Sequence, residues 1–295
     1  MSVSIRRLTA GFAGEVTGVD TTRPLPQGMA EELDAGMAEH GVLVFPGQAL
    51  TDEQQAAFSQ NFGRLEMPSA VSNITKEHER RLGPAMADVS NLTKEQRPFD
   101  REDRRRMFNL GNRLWHSDSS FRAVPAKYSL LSGRILPSGG GNTEFADMAG
   151  AYDALDKAMK ARIEDLVCEH SLLYSRGRLG FEDLTEAEKA NFRPVRQALV
   201  RVHPVSGRKS LYLSAHAGRI VGWPVPEGRL LLEDLTEHAT QRQFVYAHEW
   251  RVHDLVIWDN QRTMHRARPF DDVNEVRDVR RTTVAGEEMT AAQAA

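Results

Sequence analysis

Short apolar runs bounded by Gly, Pro or Asp dominate the pattern of the chain. They are rich in Val, Ile, Leu, Tyr and Trp, and their length of roughly four to eight residues is typical of β-strands. The pattern predicts strands at Val42–Phe45, Tyr128–Ile135, Leu199–His203, Ser210–Leu213, Phe244–Trp250, Asp254–Trp258 and Arg281–Val284.

Amphipathic segments that predict helices are fewer than the strand-like runs. Two of them open on a capping box, in which a Thr side chain and a Glu or Gln three residues later cap each other's backbone. Helical spacing of apolar residues behind a capping Asp indicates a third. The predicted helices run from Thr51 to near Gly63, from Asp147 through Ile163, from Thr185 onward, and from Glu227 to about His238.

The order of these elements indicates the class of fold. Strands cluster at both ends of a central insertion that carries helices, and the two types do not alternate strictly. This order argues against a doubly wound parallel sheet. It predicts a mainly β protein with helices (α+β), built as a β-sandwich or jelly roll. We expect a single domain over residues 1–286 and a frayed tail over residues 287–295.

The polar stretch from Lys76 to Arg106 carries charges of both signs. One interpretation is a solvated loop with a short helix. The other is a mobile lid over a cleft, because long loops are often functional. The sequence leaves both interpretations open.

Composition and charge exclude several classes of protein. The 38 basic and 41 acidic residues give a formal net charge of -3, which excludes nucleic-acid binding driven by bulk charge. The single cysteine, Cys168, excludes an intramolecular disulfide and a Cys-based zinc or iron–sulfur site. The start of the chain lacks the apolar core of a signal peptide, and no stretch approaches the ~18 apolar residues of a membrane span. The expectation is a cytoplasmic enzyme.

Three residues form a candidate metal site. His116 and Asp118 are two positions apart, so in a strand their side chains would leave the same face and bind one ion together. His265 follows a strongly apolar strand, where the rim of a jelly roll is expected. Two histidines and one carboxylate on one face of an octahedron suit Fe(II) in oxygenases. The His-x-Asp pattern by itself is also consistent with a structural histidine and a capping aspartate.

Two arginines point to anionic ligands. Arg277 and Arg281 are four positions apart, and a β interpretation of Val279–Val284 directs both side chains inward. Buried guanidinium groups are unfavourable without anionic partners, and the planar fork of arginine matches a carboxylate. The two arginines therefore predict two carboxylate-like ligands near the metal. Structural salt bridges to Asp or Glu are the alternative.

Together these motifs resemble the Fe(II)/2-oxoglutarate-dependent dioxygenases of the taurine dioxygenase and 2,4-dichlorophenoxyacetate dioxygenase family. The similarity runs over most of the chain. It is carried by His116, Asp118, His265 and Arg277 and by the blocks Phe12–Asp20, Gly41–Gly47, Asp52–Gln55, Phe62–Gly63, Gly139–Met148 and Trp258–Asn260. The segments most similar to the 2,4-dichlorophenoxyacetate branch are Trp115–Phe121, Ser214–Ala217 and His238–Arg242.

The resemblance implies a double-stranded β-helix, the cupin-like jelly roll, with helical insertions and with the metal at its open end. It implies that His116, Asp118 and His265 are the Fe(II) ligands.

The resemblance also implies which residues bind the co-substrate and the substrate. Thr143 and Arg277 would hold the distal carboxylate of the co-substrate 2-oxoglutarate, in a pocket lined by Trp258. On the substrate side the implied residues are Arg281, His216, Asn112, Lys94 and Lys76.

The implied reaction consumes 2-oxoglutarate and O2 and releases succinate and CO2. It hydroxylates the carbon next to the ether oxygen of an aryloxyalkanoate, so that a phenol and glyoxylate leave. The expected partner is a small anionic molecule, with no nucleic acid and no membrane, and family habit implies a homo-oligomer.

Three alternatives stay open. The substrate could be taurine, an alkyl sulfonate or a sulfate ester, because Arg281 does not separate a carboxylate from a sulfonate. The chain could be a non-catalytic jelly-roll binding protein, or a zinc hydrolase that uses the same three ligands.

Overall fold

Strands form the framework of the protein, whose computed structural model describes residues 3–67 and 73–293. The strands are β1 Ser4–Arg7, β2 Gly14–Thr17, β3 Val42–Phe45, β4 Ala87–Asp88, β5 Ala126–Ile135, β6 Thr143–Asp147, β7 Val167–His170, β8 Val195–Ala198, β9 Val200–Val202, β10 Lys209–Leu211, β11 Ala217–Ile220, β12 Val245–His248, β13 Leu255–Asp259, β14 Thr263–Ala267 and β15 Asp278–Ala285. Every predicted strand overlaps one of these, so the apolar runs were interpreted correctly.

Helices connect and cover the strands. The α-helices are α1 Met29–His40, α2 Asp52–Gln60, α3 Arg104–Asn109, α4 Met148–Ala154, α5 Lys157–Ile163, α6 Leu172–Gly177, α7 Glu186–Asn191 and α8 Val225–Ala239. Short 3-10 helices cover Glu77–Glu79, Leu110–Arg113 and Arg242–Phe244.

The largest sheet has the order β1-β2-β3-β13-β5-β15-β4. Alternation along β3 divides its side chains between two faces. Leu43 and Phe45 pack with residues of α1 and α2 on one face. Val42 and Val44 belong to a separate inner cluster on the other face, so this sheet is buried on both sides.

A second sheet, β12-β6-β14, closes the inner core. Phe145 of β6 packs in the same cluster as Val42 of β3, which joins the two sheets face to face. Met264 of β14 packs against residues of α4 and α8, on the side of this sheet that faces away from the inner core. Side chains alternate along a strand, so the next residue, His265, points between the two sheets, where its ring contacts Trp258. The predicted jelly roll with helical insertions is confirmed.

Local capping signals predicted helix starts well, with one correction. Thr51 and Thr185 both form complete capping boxes. The single helix predicted from Asp147 through Ile163 is instead two helices, α4 and α5. The helix is interrupted because Asp156 caps a new one: its side chain accepts a hydrogen bond from the backbone N–H of Met159 at 2.7 Å.

The two segments predicted to be mobile make contacts with strands. β4 lies within the Lys76–Arg106 stretch and pairs with β15 at the edge of the large sheet. In the tail, Thr290 and Gln293 accept hydrogen bonds from the backbone of β8. Ala294 and Ala295 lie outside the described residues. The single domain over residues 1–286, the lid and the frayed tail stay predictions, and the contacts of Thr290 and Gln293 weigh against fraying.

Among residues 3–67 and 73–293, no helix combines the length and the apolar composition that crossing a bilayer requires.

A buried ion pair fixes α4 to the sheets and gives a test of the fold. The Arg262 side chain is 1% exposed and donates to Asp147 Oδ1 at 3.0 Å. We expect Arg262→Met to lower the free energy of unfolding by roughly 3–5 kcal/mol, because Asp147 is left buried without its cation. Urea unfolding measures the change. Arg7→Met, which breaks the exposed pair with Glu39, should change it by less than ~1 kcal/mol. Equal effects of the two substitutions would contradict this account.

Candidate active site

The three predicted metal ligands lie together and are buried. The candidate ligand atoms of His116, Asp118 and His265 all lie within 4.8 Å of one another. Nε2 of His116 is 3.9 Å from Oδ1 of Asp118, and Nε2 of His265 is 3.6 Å from Oδ2. Two imidazoles and one carboxylate in this arrangement fit a divalent ion such as Fe(II).

The backbone brings these residues together differently from the prediction. His116 is not in a strand, but exchanges both backbone hydrogen bonds with His265, at 3.0 and 2.8 Å, as an isolated bridge. Asp118 starts the turn that follows and donates its N–H to Asn260 Oδ1 at 3.1 Å. The prediction that His116 and Asp118 leave the same face of a strand is therefore wrong. The bridge and the turn bring the two side chains together instead. His265 lies inside β14 rather than beyond the end of a strand.

Hydrogen bonds and burial hold the site in a metal-binding state. His116 Nδ1 lies 2.8 Å from the carbonyl oxygen of Leu114, which places the ring proton there and leaves Nε2 to bind a metal. Burial lowers the pKa of both His116 and His265, which favours the neutral imidazole that metals bind. Burial alone would raise the pKa of Asp118, but Arg281 and the two imidazoles outweigh it and lower the pKa to about 2.

A cavity lies over His116 and Asp118. Three predicted substrate-side residues, Asn112, His216 and Arg281, line it. Lys76 and Lys94 are not among the described residues that line it, which corrects the sequence expectation. Both lysines are exposed, and Lys94 Nζ donates to the carbonyl of His78 at 3.1 Å.

Arg81 explains why the Lys76–Arg106 segment turns other residues toward the cavity. Its buried guanidinium pairs with Asp88 at 2.8 Å and with Asp278 at 2.7 Å. These ion pairs fix the segment against β15, so residues such as Arg81 and Asp88 line the cavity in place of the two lysines.

Arg277 is a buried cation without a carboxylate partner among the described residues. Its Nη2 donates to the carbonyl of Gly141 at 3.2 Å, and its Nε has no hydrogen-bond partner there. Burial lowers its pKa to about 10, so the guanidinium stays charged at neutral pH. An unpaired guanidinium in this position can bind an anion.

Asn91 positions Arg277, and sequence analysis missed it. Its Oδ1 accepts from the backbone N–H of Arg277 at 2.8 Å, and its Nδ2 donates to the carbonyls of Asp272 and Glu275 at 2.9 and 2.8 Å. The side chain thus joins the start of β15 to the preceding loop.

Thr143 and Trp258 lie close to the same inner core. Thr143 is buried, and its Oγ1 accepts from Trp250 Nε1 at 3.0 Å, which leaves its own hydroxyl proton free to donate. The ring of Trp258 packs against the ring of His265, with centroids 4.6 Å apart. Trp258 therefore helps to hold a candidate metal ligand in place.

Arg281 differs from the prediction of an unpaired guanidinium. Its Nη1 donates to Asp118 Oδ1 in an ion pair, while its side chain also lines the cavity. The structural salt bridge left open as an alternative is therefore present here. The bond orients Asp118 and stabilises its charged form.

Two further charged residues of the wall had no signal in the sequence. Glu66 is partly buried and accepts from Ser119 Oγ at 2.7 Å, and its partial burial raises its pKa. Arg176 lies on α6, a helix that the hydrophobic pattern did not predict, and its side chain is buried beside His216.

The sequence matches a known family over nearly its whole length. The profile described as "Taurine catabolism dioxygenase TauD, TfdA family" matches residues 4–283. The α-ketoglutarate-dependent 2,4-dichlorophenoxyacetate dioxygenase of Cupriavidus pinatubonensis is 44% identical over 96% of this chain and 98% of its own. The (S)-phenoxypropionate/α-ketoglutarate-dioxygenase of Sphingobium herbicidovorans is 38% identical over 90% of each chain.

A solved structure is also similar. The crystal structure of AAD-2 in complex with Mn(II) and N-oxalylglycine is 57% identical in sequence, with a TM-score of 0.96 over 99% of this chain and 100% of that one. N-oxalylglycine is an analogue of 2-oxoglutarate.

The role of Asn91 can be tested without any ligand. We expect Asn91→Ala to speed hydrogen–deuterium exchange over residues 272–277, because three hydrogen bonds that hold this loop are lost. Stability should fall by about 1–3 kcal/mol, since a buried carbonyl or N–H is left without a partner. Asn274→Ala is the control, because that side chain bonds only to Asp271 in the same exposed loop. Unchanged exchange in Asn91→Ala would rule out the positioning role.

Proposed function

The chain belongs to the taurine catabolism dioxygenase TauD, TfdA family, and we propose that it is an Fe(II)- and 2-oxoglutarate-dependent dioxygenase that acts on an aryloxyalkanoate. The observation that carries the proposal is the buried cluster of His116, Asp118 and His265, two of whose members, His116 and Asp118, line a cavity. The unpaired guanidinium of Arg277 supports the use of an anionic co-substrate. The similar dioxygenases of 2,4-dichlorophenoxyacetate and (S)-phenoxypropionate support the class of substrate.

In this proposal His116, Asp118 and His265 hold Fe(II). When bound, iron would supply the oxidative chemistry by which O2 converts 2-oxoglutarate to succinate and CO2 and hydroxylates the substrate. The protein keeps its ligands in the form that binds iron: both imidazoles are neutral, and the Asp118 carboxylate is ionised next to Arg281. Ser129 adds a hydrogen bond to Asp118 Oδ2 at 2.7 Å, which fixes the direction of the carboxylate.

Arg277 and Thr143 bind the distal carboxylate of 2-oxoglutarate. The guanidinium offers a fork of N–H donors, and the Thr143 hydroxyl, which accepts from Trp250 on one lone pair, still has its own proton to donate. Trp258 forms the apolar side of the co-substrate site against His265. Asn91 holds the backbone of Arg277 and acts as a positioning residue.

The substrate occupies the cavity between the metal ligands and the Lys76–Arg106 segment, which acts as a lid. Asn112, His216 and Arg281 lie on its wall, and these residues direct the carbon next to the ether oxygen toward the iron. In an aryloxyacetate, hydroxylation of that carbon gives a hemiacetal, which collapses to a phenol and glyoxylate. The homo-oligomer and the cytoplasmic location expected from the sequence stay predictions.

Arg277 should determine the requirement for 2-oxoglutarate. We expect Arg277→Met to raise the KM for 2-oxoglutarate at least about tenfold, because a charge-assisted bidentate contact is worth about 1.5–3 kcal/mol. Succinate formation against 2-oxoglutarate concentration measures it. Arg208→Met, at an exposed ion pair with Asp153, is the control. An unchanged KM together with loss of substrate use would mean that Arg277 and Arg281 have each other's roles.

A panel of substrates tests the reaction itself. Purified protein with Fe(II), 2-oxoglutarate and O2 is given aryloxyacetates, aryloxypropionates, alkyl sulfonates and sulfate esters, and succinate, phenol, sulfite and sulfate are assayed. The proposal predicts that aryloxyalkanoates give phenol and succinate in equal amounts. Sulfite or sulfate without phenol would overturn the substrate class. Turnover that persists without O2 would overturn the oxygenase and favour a hydrolase.

A further inference from the structure

Asn260 is a fully buried amide beside the candidate metal ligands. It is 0% exposed and lies in the turn between β13 and β14, where the chain passes from the large sheet to the second sheet. Its side chain takes part in three hydrogen bonds, and all three partners belong to the site. The function proposed above gives this side chain no role.

Two N–H groups that face Asn260 fix the orientation of its amide. The backbone N–H of Asp118 donates to Oδ1 at 3.1 Å, and the indole Nε1–H of Trp258 donates to the same oxygen at 3.0 Å. Both groups can only donate, so a flipped amide would bring its own NH2 group against two N–H groups. The Nδ2 group therefore faces Ser129, whose Oγ it reaches at 3.0 Å.

The bond from Asn260 also directs the proton of Ser129. The Ser129 side chain is buried, and its hydroxyl has one proton to donate. Because Oγ accepts from Asn260, this proton points away from the amide and toward Oδ2 of Asp118, which lies 2.7 Å from Oγ. A closed ring of hydrogen bonds thus runs from the backbone N–H of Asp118 through Asn260 and Ser129 to the carboxylate of Asp118.

The bond from Trp258 extends this ring to a second metal ligand. Trp258 is 1% exposed, and its ring packs against the ring of His265, with centroids 4.6 Å apart. By holding the indole N–H, Asn260 limits the rotation of the Trp258 side chain. One buried amide is therefore connected to both Asp118 and His265, although these two ligands lie far apart in the sequence.

We propose that Asn260 is a positioning residue of the metal centre, which holds the carboxylate of Asp118 and the ring of Trp258 in the orientations that metal binding requires. This inference rests on the function proposed above and names a residue that acts through its neighbours. Hydrogen-bonding partners behind the ligands orient a metal site, and loss of such a partner lowers metal affinity roughly 10- to 100-fold.

The first test measures metal binding without turnover. Mn(II) is titrated into the wild type, Asn260→Ala, Ser129→Ala and the double variant, and electron paramagnetic resonance gives both the affinity and the spectrum of the bound ion. We expect Asn260→Ala to weaken binding about tenfold or more and to change the spectrum, because the carboxylate of Asp118 is less firmly oriented.

The double variant tests the connection through Ser129. Ser129→Ala should reduce the affinity less in the Asn260→Ala background than in the wild type, because without the amide the Ser129 proton is no longer directed at Asp118. Losses that simply add would contradict this connection.

A spectrum of the metal-free protein tests the bond to Trp258. The chain has 4 tryptophans, so a proton–nitrogen correlation spectrum contains as many indole N–H signals. Trp258→Phe identifies the signal of Trp258. In Asn260→Ala this signal should move upfield and exchange faster with solvent, because its hydrogen bond is lost, while the other indole signals stay in place. An unmoved Trp258 signal would contradict the role of Asn260 in holding that ring.

Gln55→Met is the matched control. Gln55 is also a buried amide at 0% exposure, and its Nε2 donates to the carbonyls of Leu130 and Arg280 at 3.0 Å each, between α2 and the large sheet. Its replacement should lower stability, as in Asn260→Ala, but leave the affinity and spectrum of Mn(II) as in the wild type. The control thereby separates a general loss of stability from a change in the site.

A second variant covers the case in which Asn260→Ala does not fold, as judged by circular dichroism. Asn260→Asp keeps an oxygen for the N–H groups of Asp118 and Trp258 but presents Ser129 with an acceptor instead of a donor. The Ser129 proton then turns toward the new carboxylate, so the spectrum of bound Mn(II) should still differ from that of the wild type.

Several results would overturn the inference. Wild-type affinity and spectrum of Mn(II) in Asn260→Ala, or in Asn260→Asp where that variant replaces it, would do so. Equal changes in Asn260→Ala and Gln55→Met would also do so, because they would reduce the effect to stability alone. If the wild type binds Mn(II) and the Asn260 variants bind it equally well, only this inference fails. No binding of Mn(II) by the wild type would overturn the proposed metal centre as well.

Discussion

The carboxylate of Asp118 is the interaction on which the site depends. It is buried between the imidazoles of His116 and His265, with the guanidinium of Arg281 and the hydroxyl of Ser129 on its oxygens. A carboxylate so far from water is unfavourable unless charges and donors surround it. These partners come from the isolated bridge at His116 and from β5, β14 and β15, so the charge connects the site to both sheets of the jelly roll.

Local signals in the sequence were sufficient for much of the fold. The capping boxes at Thr51 and Thr185 and the apolar run at Val42–Phe45 act through neighbours in the chain, and the structure has them where they were predicted. The division of α4 from α5 was missed because Asp156 was not considered as a second cap. Strand pairing joins distant residues, and the bridge between His116 and His265 cannot be seen from their spacing.

The candidate site was predicted in part, for a similar reason. The types and order of His116, Asp118 and His265 carry the signal of the family, and the structure brings the three together. Lys94 was expected near the substrate from the resemblance to the family, but the ion pairs of Arg81 hold its segment in another arrangement, in which Lys94 is exposed. Arg176 could not be predicted, because its importance lies in the absence of an acidic partner among the described residues, which only the fold reveals.

Two buried arginines, Arg277 and Arg176, have no acidic partner among the described residues. Among the described residues Arg277 and Arg176 both lose contact with water without gaining a carboxylate, and burial lowers the pKa of each. A protein can tolerate such groups where a ligand supplies the missing charge. In this account the guanidinium of Arg277 binds the distal carboxylate of the co-substrate.

The most direct measurement is the binding of Mn(II), followed by electron paramagnetic resonance, to the wild type and to Asp118→Asn. The account predicts a single tight site in the wild type and a loss of roughly 10-fold or more in affinity in Asp118→Asn, because the amide carries no charge for the metal. Asp153→Asn, at an exposed carboxylate, should bind as the wild type. Undiminished Mn(II) binding by Asp118→Asn would contradict the claim that these three side chains form the metal centre.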